Sequence, residues 1–348
     1  MILRGKIMVK QDKILSKKIL NKKPRIAVLA YGGTIACKTE TPFDEFYDCP
    51  TLSIQEILSN IPLIDKVVEI QSEQMKQIIS QEMSCDDLIS LAQKINLVIQ
   101  DENIDGVVIT HGTNCMEEMA YFVSLVVNTE KPIVFTGAMK PSTSLCFDGL
   151  MNLYNSILIA SSPKAKKLGV VLCFNNSIYS ARNVTKYNPS LISAFGNELS
   201  LLGYVDGNKI FISNVPAYQH TYSSEFSIDK LKYFPKVYII YGYLGMDNAF
   251  VDAAIANNAI GIVSAGMGKG YQPKTITKAL AQAVEKGLIV VRSSRIGEGI
   301  INHDPETDGK YHFIAGGSLS PQKARILLSV ALTKTKDKKV IQDIFVRY

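Results

Sequence analysis

Short runs of β-branched and other apolar residues alternate along this chain with stretches whose apolar positions recur every three or four residues. The runs at Ile26–Ala30, Val107–Thr110, Ile133–Thr136, Val170–Phe174, Val237–Tyr241, Gly261–Val263 and Leu288–Val291 are almost continuously apolar. Such runs predict strands buried on both faces, as in a parallel sheet. Between them, Asp87–Ile99, Glu117–Val127, Leu150–Ala160 and Ile276–Glu285 carry the helical period. A final helix is predicted from Ser320-Pro321 to about Thr335, with Ser as N-cap and Pro at the first helical position. Strands alternating with helices define an α/β fold, here a doubly wound, mostly parallel sheet in the N-terminal domain with a second, smaller α/β domain.

The rhythm breaks between Asn214 and Phe234, where PAYQHTYSSEFSIDK shows no clear apolar period. This stretch is read as the linker between an N-terminal domain at 25–213 and a C-terminal domain at 235–348. A length of 348 residues suits such a division. No apolar run approaches the length needed to cross a bilayer, so a membrane role is not expected.

Charge changes the picture in one place. The chain sums to +6, but residues 1–24 hold eight Lys and Arg against Asp12 and carry +7, which leaves the rest at −1. A nucleic-acid-binding face therefore has no support in composition, and the excess belongs to a basic N-terminal extension. The extension lacks the apolar core and small-residue cleavage site of a secretory signal. It is Lys-rich rather than Arg-rich and nearly free of Ser, which favours a solvated tail on a cytoplasmic protein over a mitochondrial presequence. Cys37, Cys49, Cys85, Cys115, Cys146 and Cys173 form no CxxC pair, and His111, His220, His303 and His312 show no HExxH spacing. Free thiols in a reducing compartment are expected, and no metal.

Candidate chemistry lies just beyond predicted strands. Tyr31-Gly32-Gly33-Thr34 follows the first, and two glycines let the chain turn sharply and bring bare backbone to a ligand. Ligands of open α/β sheets bind beyond the carboxyl ends of the strands, where Thr34 falls. Thr110-His111-Gly112-Thr113-Asn114 repeats the arrangement after a second strand, and Arg182-Asn183-Val184-Thr185-Lys186 follows another. A threonine hydroxyl attacks only when something takes its proton, and a desolvated lysine is a recognised base. Backbone N–H groups in the two Gly-Thr turns suit an oxyanion hole. Nucleotide binding is not supported: no GxGxxG follows a strand, and the stretch Gly261–Gly266 runs into Met267 where a phosphate loop requires Lys.

The blocks YGGTIA, THGTNCMEE, TGAMKPSTSLCFDG, RNVTK, VSAGMGKG, VRSSRIGEG and SPQKAR occur in one order over nearly all of residues 25–348. In sequence and order they resemble the motifs of the L-asparaginase/glutaminase family. That resemblance implies hydrolysis of the side-chain amide of asparagine, and in some members of glutamine, through an acyl-enzyme and without a cofactor. It also implies a homotetramer of intimate dimers in which a neighbour's C-terminal domain closes each site. Carried over by position, Thr34 is the nucleophile and Tyr47, within the lid Phe43–Pro50, assists the attack. Ser80 and Gln81 bind the substrate's α-carboxylate, Thr113 and Lys186 are the second threonine and its lysine, and Glu306 is supplied to the adjacent subunit.

Four positions depart from the family pattern. Asn114 stands where the family has Asp, Tyr271 where it has a site Asn, Tyr31 where Thr is common, and Asn183 where Asp is usual. Asn114 keeps the shape of Asp and one acceptor but loses the charge that would hold a substrate ammonium. Alternatives to a plain asparaginase are thus an amidase for a modified asparaginyl substrate, or a catalytically silent relative kept for binding.

Overall fold

The structure, a computed structural model, describes residues 23–44 and 51–348. The first ten strands are β1 (Arg25–Gly32), β2 (Glu69–Ile78), β3 (Gly106–Thr110), β4 (Ile133–Thr136), β5 (Val170–Phe174), β6 (Ser177–Ser180), β7 (Thr185–Lys186), β8 (Phe195–Gly196), β9 (Leu201–Asp206) and β10 (Lys209–Ile212). Eight of them form one sheet in the order β10-β9-β6-β5-β4-β3-β1-β2, while β7 and β8 pair separately. The half from β2 to β5 is parallel, and β6, β9 and β10 extend it by antiparallel pairing. The chain leaves β1 for β2 on one side and returns to β3 on the other, so the strand order reverses between β1 and β3. In doubly wound sheets such a switch point opens a crevice at the carboxyl ends of the strands.

Period-two alternation along β1 decides which residues build each core layer. Ala27, Leu29 and Tyr31 pack with helices α1 (Cys85–Ile99) and α2 (Met116–Val126). Ile26, Val28 and Ala30 pack with α3 (Gly149–Ser161) on the opposite face. The smaller parallel sheet is β11 (Val237–Tyr241), β12 (Gly261–Gly266), β13 (Ile289–Ser294) and β14 (Ile314–Ala315), in that order. Its one face shares the first layer with α1 and α2 through α5 (Pro321–Leu332). The other is covered by a separate cluster that includes Ile276 and Leu280 of α4 (Lys274–Glu285). Within this half, the Nε and Nη2 of buried Arg292 grip the two carboxylate oxygens of buried Asp308 at 2.7 and 2.6 Å.

Four features differ from the sequence expectations. Pro321 does open a helix, with Ser320 Oγ accepting the Lys323 N–H, but that helix ends at Leu332 and is not the last. A further helix, α6 (Lys338–Arg347), follows, with Asp337 accepting the N–H groups of Lys339 and Val340 at 2.8 and 3.1 Å. Its polar face hid the apolar stripe of Ile341, Ile344 and Phe345. Strand β2 was missed because it is an edge strand of polar sequence, EIQSEQMKQI, with no fully buried position. Antiparallel β6, β9 and β10 were missed because each is short and no more than half buried. Residues 214–234 are more than a solvated connection, since Phe226, Ile228 and Leu231 enter the core. Among the described residues no helix is long and apolar enough to cross a membrane.

Candidate active site

Strands β1 and β3 run side by side, with Ala30 opposite Thr110, so the turns that follow them must meet. Gly32 and Gly33 hold φ angles of +81° and +83°, which L side chains rarely adopt. A Cβ on Gly33 would stand 2.4 Å from the Cα of Gly112, so the two Gly-Thr turns touch backbone to backbone. The Gly33 N–H donates to the Ile78 carbonyl at 3.0 Å, which ties in the end of β2. A Cβ on Gly112 would lie 2.6 Å from Ser80 Oγ, so the residue just beyond β2 presses on the same turn. Thr34 then opens a 3-10 turn, Thr34–Ala36. It is half-buried at the switch point.

A continuous hydrogen-bonded row runs through this crevice. Buried Thr113 accepts at Oγ1 from Lys186 Nζ at 2.8 Å. The same ammonium donates to Asn114 Oδ1 at 3.0 Å, and Asn114 Nδ2 donates to Gln81 Oε1 at 2.9 Å. The Asn114 N–H donates to Ser80 Oγ at 3.2 Å. Burial pushes the Lys186 amine below its ordinary range, while Glu117 pulls it back. The Arg182–Lys186 segment follows main-sheet strand β6, but Lys186 itself belongs to a separate pairing. It is the second residue of the short strand β7, opposite Phe195 of β8.

Two residues to which sequence reasoning gave no role support this lysine. Glu117 Oε2 accepts the Lys186 backbone N–H at 2.8 Å. Lys323, fully buried on α5, donates from Nζ to the carbonyl oxygens of Arg182 and Val184. The signals were in plain sight, an acid at the start of a helix in MEE and a lysine at an apolar position in SPQKAR. Neither is distinguishable from a solvated charge without the tertiary structure.

His111 lies wholly buried beneath the turn, stacked on the Tyr31 ring at 6.1 Å. Its Nδ1 faces the Gly112 carbonyl at 2.7 Å. A carbonyl only accepts, so Nδ1 carries the proton. Burial drives its pKa down to about 4, leaving it neutral at pH 7. Tyr31 also reaches Ser90 Oγ at 3.2 Å, which accounts for an aromatic residue at this position.

Two expected site residues stand apart. Tyr47 lies outside the described residues, as does most of the expected lid. Glu306 is exposed in a π-helical turn, Pro305–Gly309, capped by Asp304. With Tyr271 it lines a cavity of about 380 Å³ in the smaller half, and it makes no hydrogen bond to Thr34, Thr113 or Lys186. Among the described residues no group of three or more His, Cys, Asp and Glu is placed to hold a metal ion.

These features define a two-part α/β protein with a hydroxyl and amine site at the switch point of its larger sheet. Residues 25–218 match the family described as asparaginase, N-terminal, and residues 236–345 match the glutaminase/asparaginase C-terminal domain. The chain belongs to the asparaginase family. It is 40% identical over 324 residues to a probable periplasmic L-asparaginase of Haemophilus influenzae, covering 92% of each chain. It is 40% identical over 327 residues to L-asparaginase 2 of Escherichia coli, covering 93% of each. The crystal structure of a probable cytoplasmic L-asparaginase from Campylobacter jejuni superposes with a TM-score of 0.91 at 39% identity, covering 94% of this chain and 100% of that one.

The closeness of the two turns yields a first expectation. Gly33→Ala places a Cβ against the Gly112 backbone and forces a left-handed φ on a side chain. It should cost about 1–3 kcal/mol of stability and displace Thr34. A fall in urea midpoint together with loss of ammonia release checks this, and a variant of unchanged stability and rate contradicts it.

Proposed function

We propose that this protein hydrolyses the side-chain amide of L-asparagine to aspartate and ammonia, with Thr34 as nucleophile. The observation that carries the reading is the 2.8 Å bond from Lys186 Nζ to Thr113 Oγ1, set on a turn in backbone contact with the one bearing Thr34. Thr34 Oγ forms a bond to the amide carbon, and the developing oxyanion takes N–H donors from the Gly-Thr turns. The C–N bond then breaks, and the proton given up by Thr34 leaves with the nitrogen as ammonia. Water attacks the resulting ester, its hydroxyl joins the acyl carbon, and its proton returns to Thr34. Neutral Lys186 takes the Thr113 proton as Thr113 takes that of the attacking water. The relay runs back to Thr34 Oγ as its bond to the acyl carbon breaks, a course that the lysine's lowered pKa favours. Ser80 and Gln81 serve the substrate's α-carboxylate, and Tyr47 assists the attack.

In this reading the larger domain, 25–213, carries the reacting groups and the smaller, 235–348, supplies Glu306 to a neighbour's site. Exposure of Glu306 in a half of the chain apart from Thr34 supports that division and a homotetramer. Activity should accordingly fall on dilution to monomer, measured by light scattering and assay together. A fully active monomer contradicts it. A cytoplasmic location fits the five free thiols among the described residues, two of them buried in the core. Cell fractionation decides between this and the compartment of the periplasmic relative.

A second reading, an amidase for an asparaginyl compound without a free α-ammonium, is favoured by Asn114. Its amide is spent inside the protein, accepting from Lys186 and donating to Gln81, and it offers no charge to a substrate amine.

Thr34→Ala and Lys186→Ala should each nearly abolish ammonia release with the fold intact by circular dichroism. An unchanged rate removes that residue from the mechanism. Asn114→Asp should raise kcat/KM for L-asparagine, because a charge-assisted bond to the α-ammonium contributes about 1.5–3 kcal/mol, roughly ten- to a hundredfold. The same carboxylate raises the Lys186 pKa, so the ascending limb of the pH profile should move to higher pH. No gain on asparagine, beside cleavage of a substrate lacking a free α-amine, establishes the second reading.

A further inference from the structure

Lys323 is an ammonium with almost no solvent, 1% exposed. No carboxylate lies within ion-pair distance of it among the described residues. Its Nζ instead donates to two main-chain carbonyls, Arg182 at 3.0 Å and Val184, which bracket Asn183 in the segment that ends in Lys186. Lys323 lies on α5 of the C-terminal half, whereas the segment it grips belongs to the larger domain. A second tie runs beside it, from Arg182 Nη1 to Ser318 Oγ at 2.9 Å. An ammonium buried at this cost is retained where its hydrogen bonds hold something in place.

The charges around it are few. Lys323 feels Glu117 most strongly, then Arg182 against it and Glu118 with it. Glu118 is faced by Arg325 as well, and Tyr241 faces both acids. Among the described residues, the charge that acts on Lys186 is Glu117, the same acid whose Oε2 accepts its N–H. Glu117 thus lies electrically between two lysines. One is the proposed base, and the other is locked in the core.

We propose that Lys323 is a positioning residue for the catalytic lysine: it clamps the Arg182–Lys186 segment through two carbonyls and sets a buried positive charge against Glu117. The inference rests on the reading of Lys186 as the base. Both parts act in one direction. The clamp keeps Lys186 Nζ at Thr113, and an error of an ångström there costs rate rather than affinity. The positive charge stands against Glu117, the acid that raises the Lys186 amine, and so works to keep the base neutral at lower pH. Burial lowers the Lys323 amine to about 8. Its charge is therefore present at pH 7 and fades above pH 8, so the electrostatic contribution is read below that point.

The test is the pH profile of kcat for L-asparagine, with melting temperature and oligomeric state followed in each variant. Lys323→Met is expected to lower kcat about tenfold or more with KM changed less than about threefold. It should also move the ascending limb upward by roughly 0.5–1 unit. Lys323→Gln keeps N–H donors without the charge, so it should recover part of kcat and retain the displaced limb. Glu117→Gln keeps the acceptor for the Lys186 N–H but removes the charge, and should move the limb downward. If Lys323→Met does not fold, Lys323→Gln carries the test, and a wild-type kcat with an unmoved limb in that variant overturns the proposal equally. A Lys323→Met enzyme with lowered melting temperature but wild-type kcat and an unmoved limb overturns the proposal, as does an unmoved limb in Glu117→Gln. Lys186→Ala separates the two levels. If it releases ammonia at the wild-type rate, the assignment of the base itself fails. If it is inactive while the Lys323 and Glu117 variants behave as wild type, only the positioning role fails.

Discussion

The contact of Gly33 with Gly112 is the constraint on which the site depends. Adjacent parallel strands lie about 4.8 Å apart, so two turns leaving β1 and β3 at the same level have no room for side chains between them. Glycine at Gly33 lets the two backbones meet, and the residues that follow, Thr34 and Thr113, are consequently brought close together. A Cβ on Gly33 would collide with the Gly112 backbone, and one on Gly112 would collide with Ser80. The switch point of the strand order puts the crevice there, and bare backbone lets it close to working size.

Around this contact the protein manages charge by burial rather than by pairing. Lys186 has no carboxylate at its amine, because Asn114 offers a carbonyl where an acid would offer charge. Glu117 holds the lysine by its backbone N–H and acts on its amine only at a distance. His111, packed against Tyr31 directly below the turn, is kept neutral by burial. Desolvation of this kind lowers the pKa of an amine, and an acid kept at a distance opposes the shift only in part.

The two halves of the chain are joined by more than their connection. Side chains of β11, β12 and β13 share one apolar layer with α1 and α2. Arg182, Ser318 and Lys323 add polar ties across the same boundary, close to Lys186. Disturbance of the smaller half would therefore reach the lysine directly. The cavity lined by Glu306 and Tyr271 lies in the smaller half and shares no lining residue with the row around Lys186.

By itself the sequence determined the architecture and the position of the two turns. Apolar strands such as Ile133–Thr136 and Val170–Phe174 coincide with the predicted spans, because a strand buried on both faces leaves a short, β-branched, continuously apolar run. Gly-Thr after such a strand marks a switch-point turn by local chemistry alone. Edge strand β2 and the amphipathic α6 escaped, since half-exposed elements share their composition with loops. What only the tertiary structure decided is who meets whom. The row from Ser80 to Lys186 joins residues more than a hundred positions apart, and Lys323 reaches its carbonyls from 139 and 141 positions away. A buried lysine and a solvated one are the same letter in a sequence. Their difference is desolvation, which exists only once the chain has closed around them.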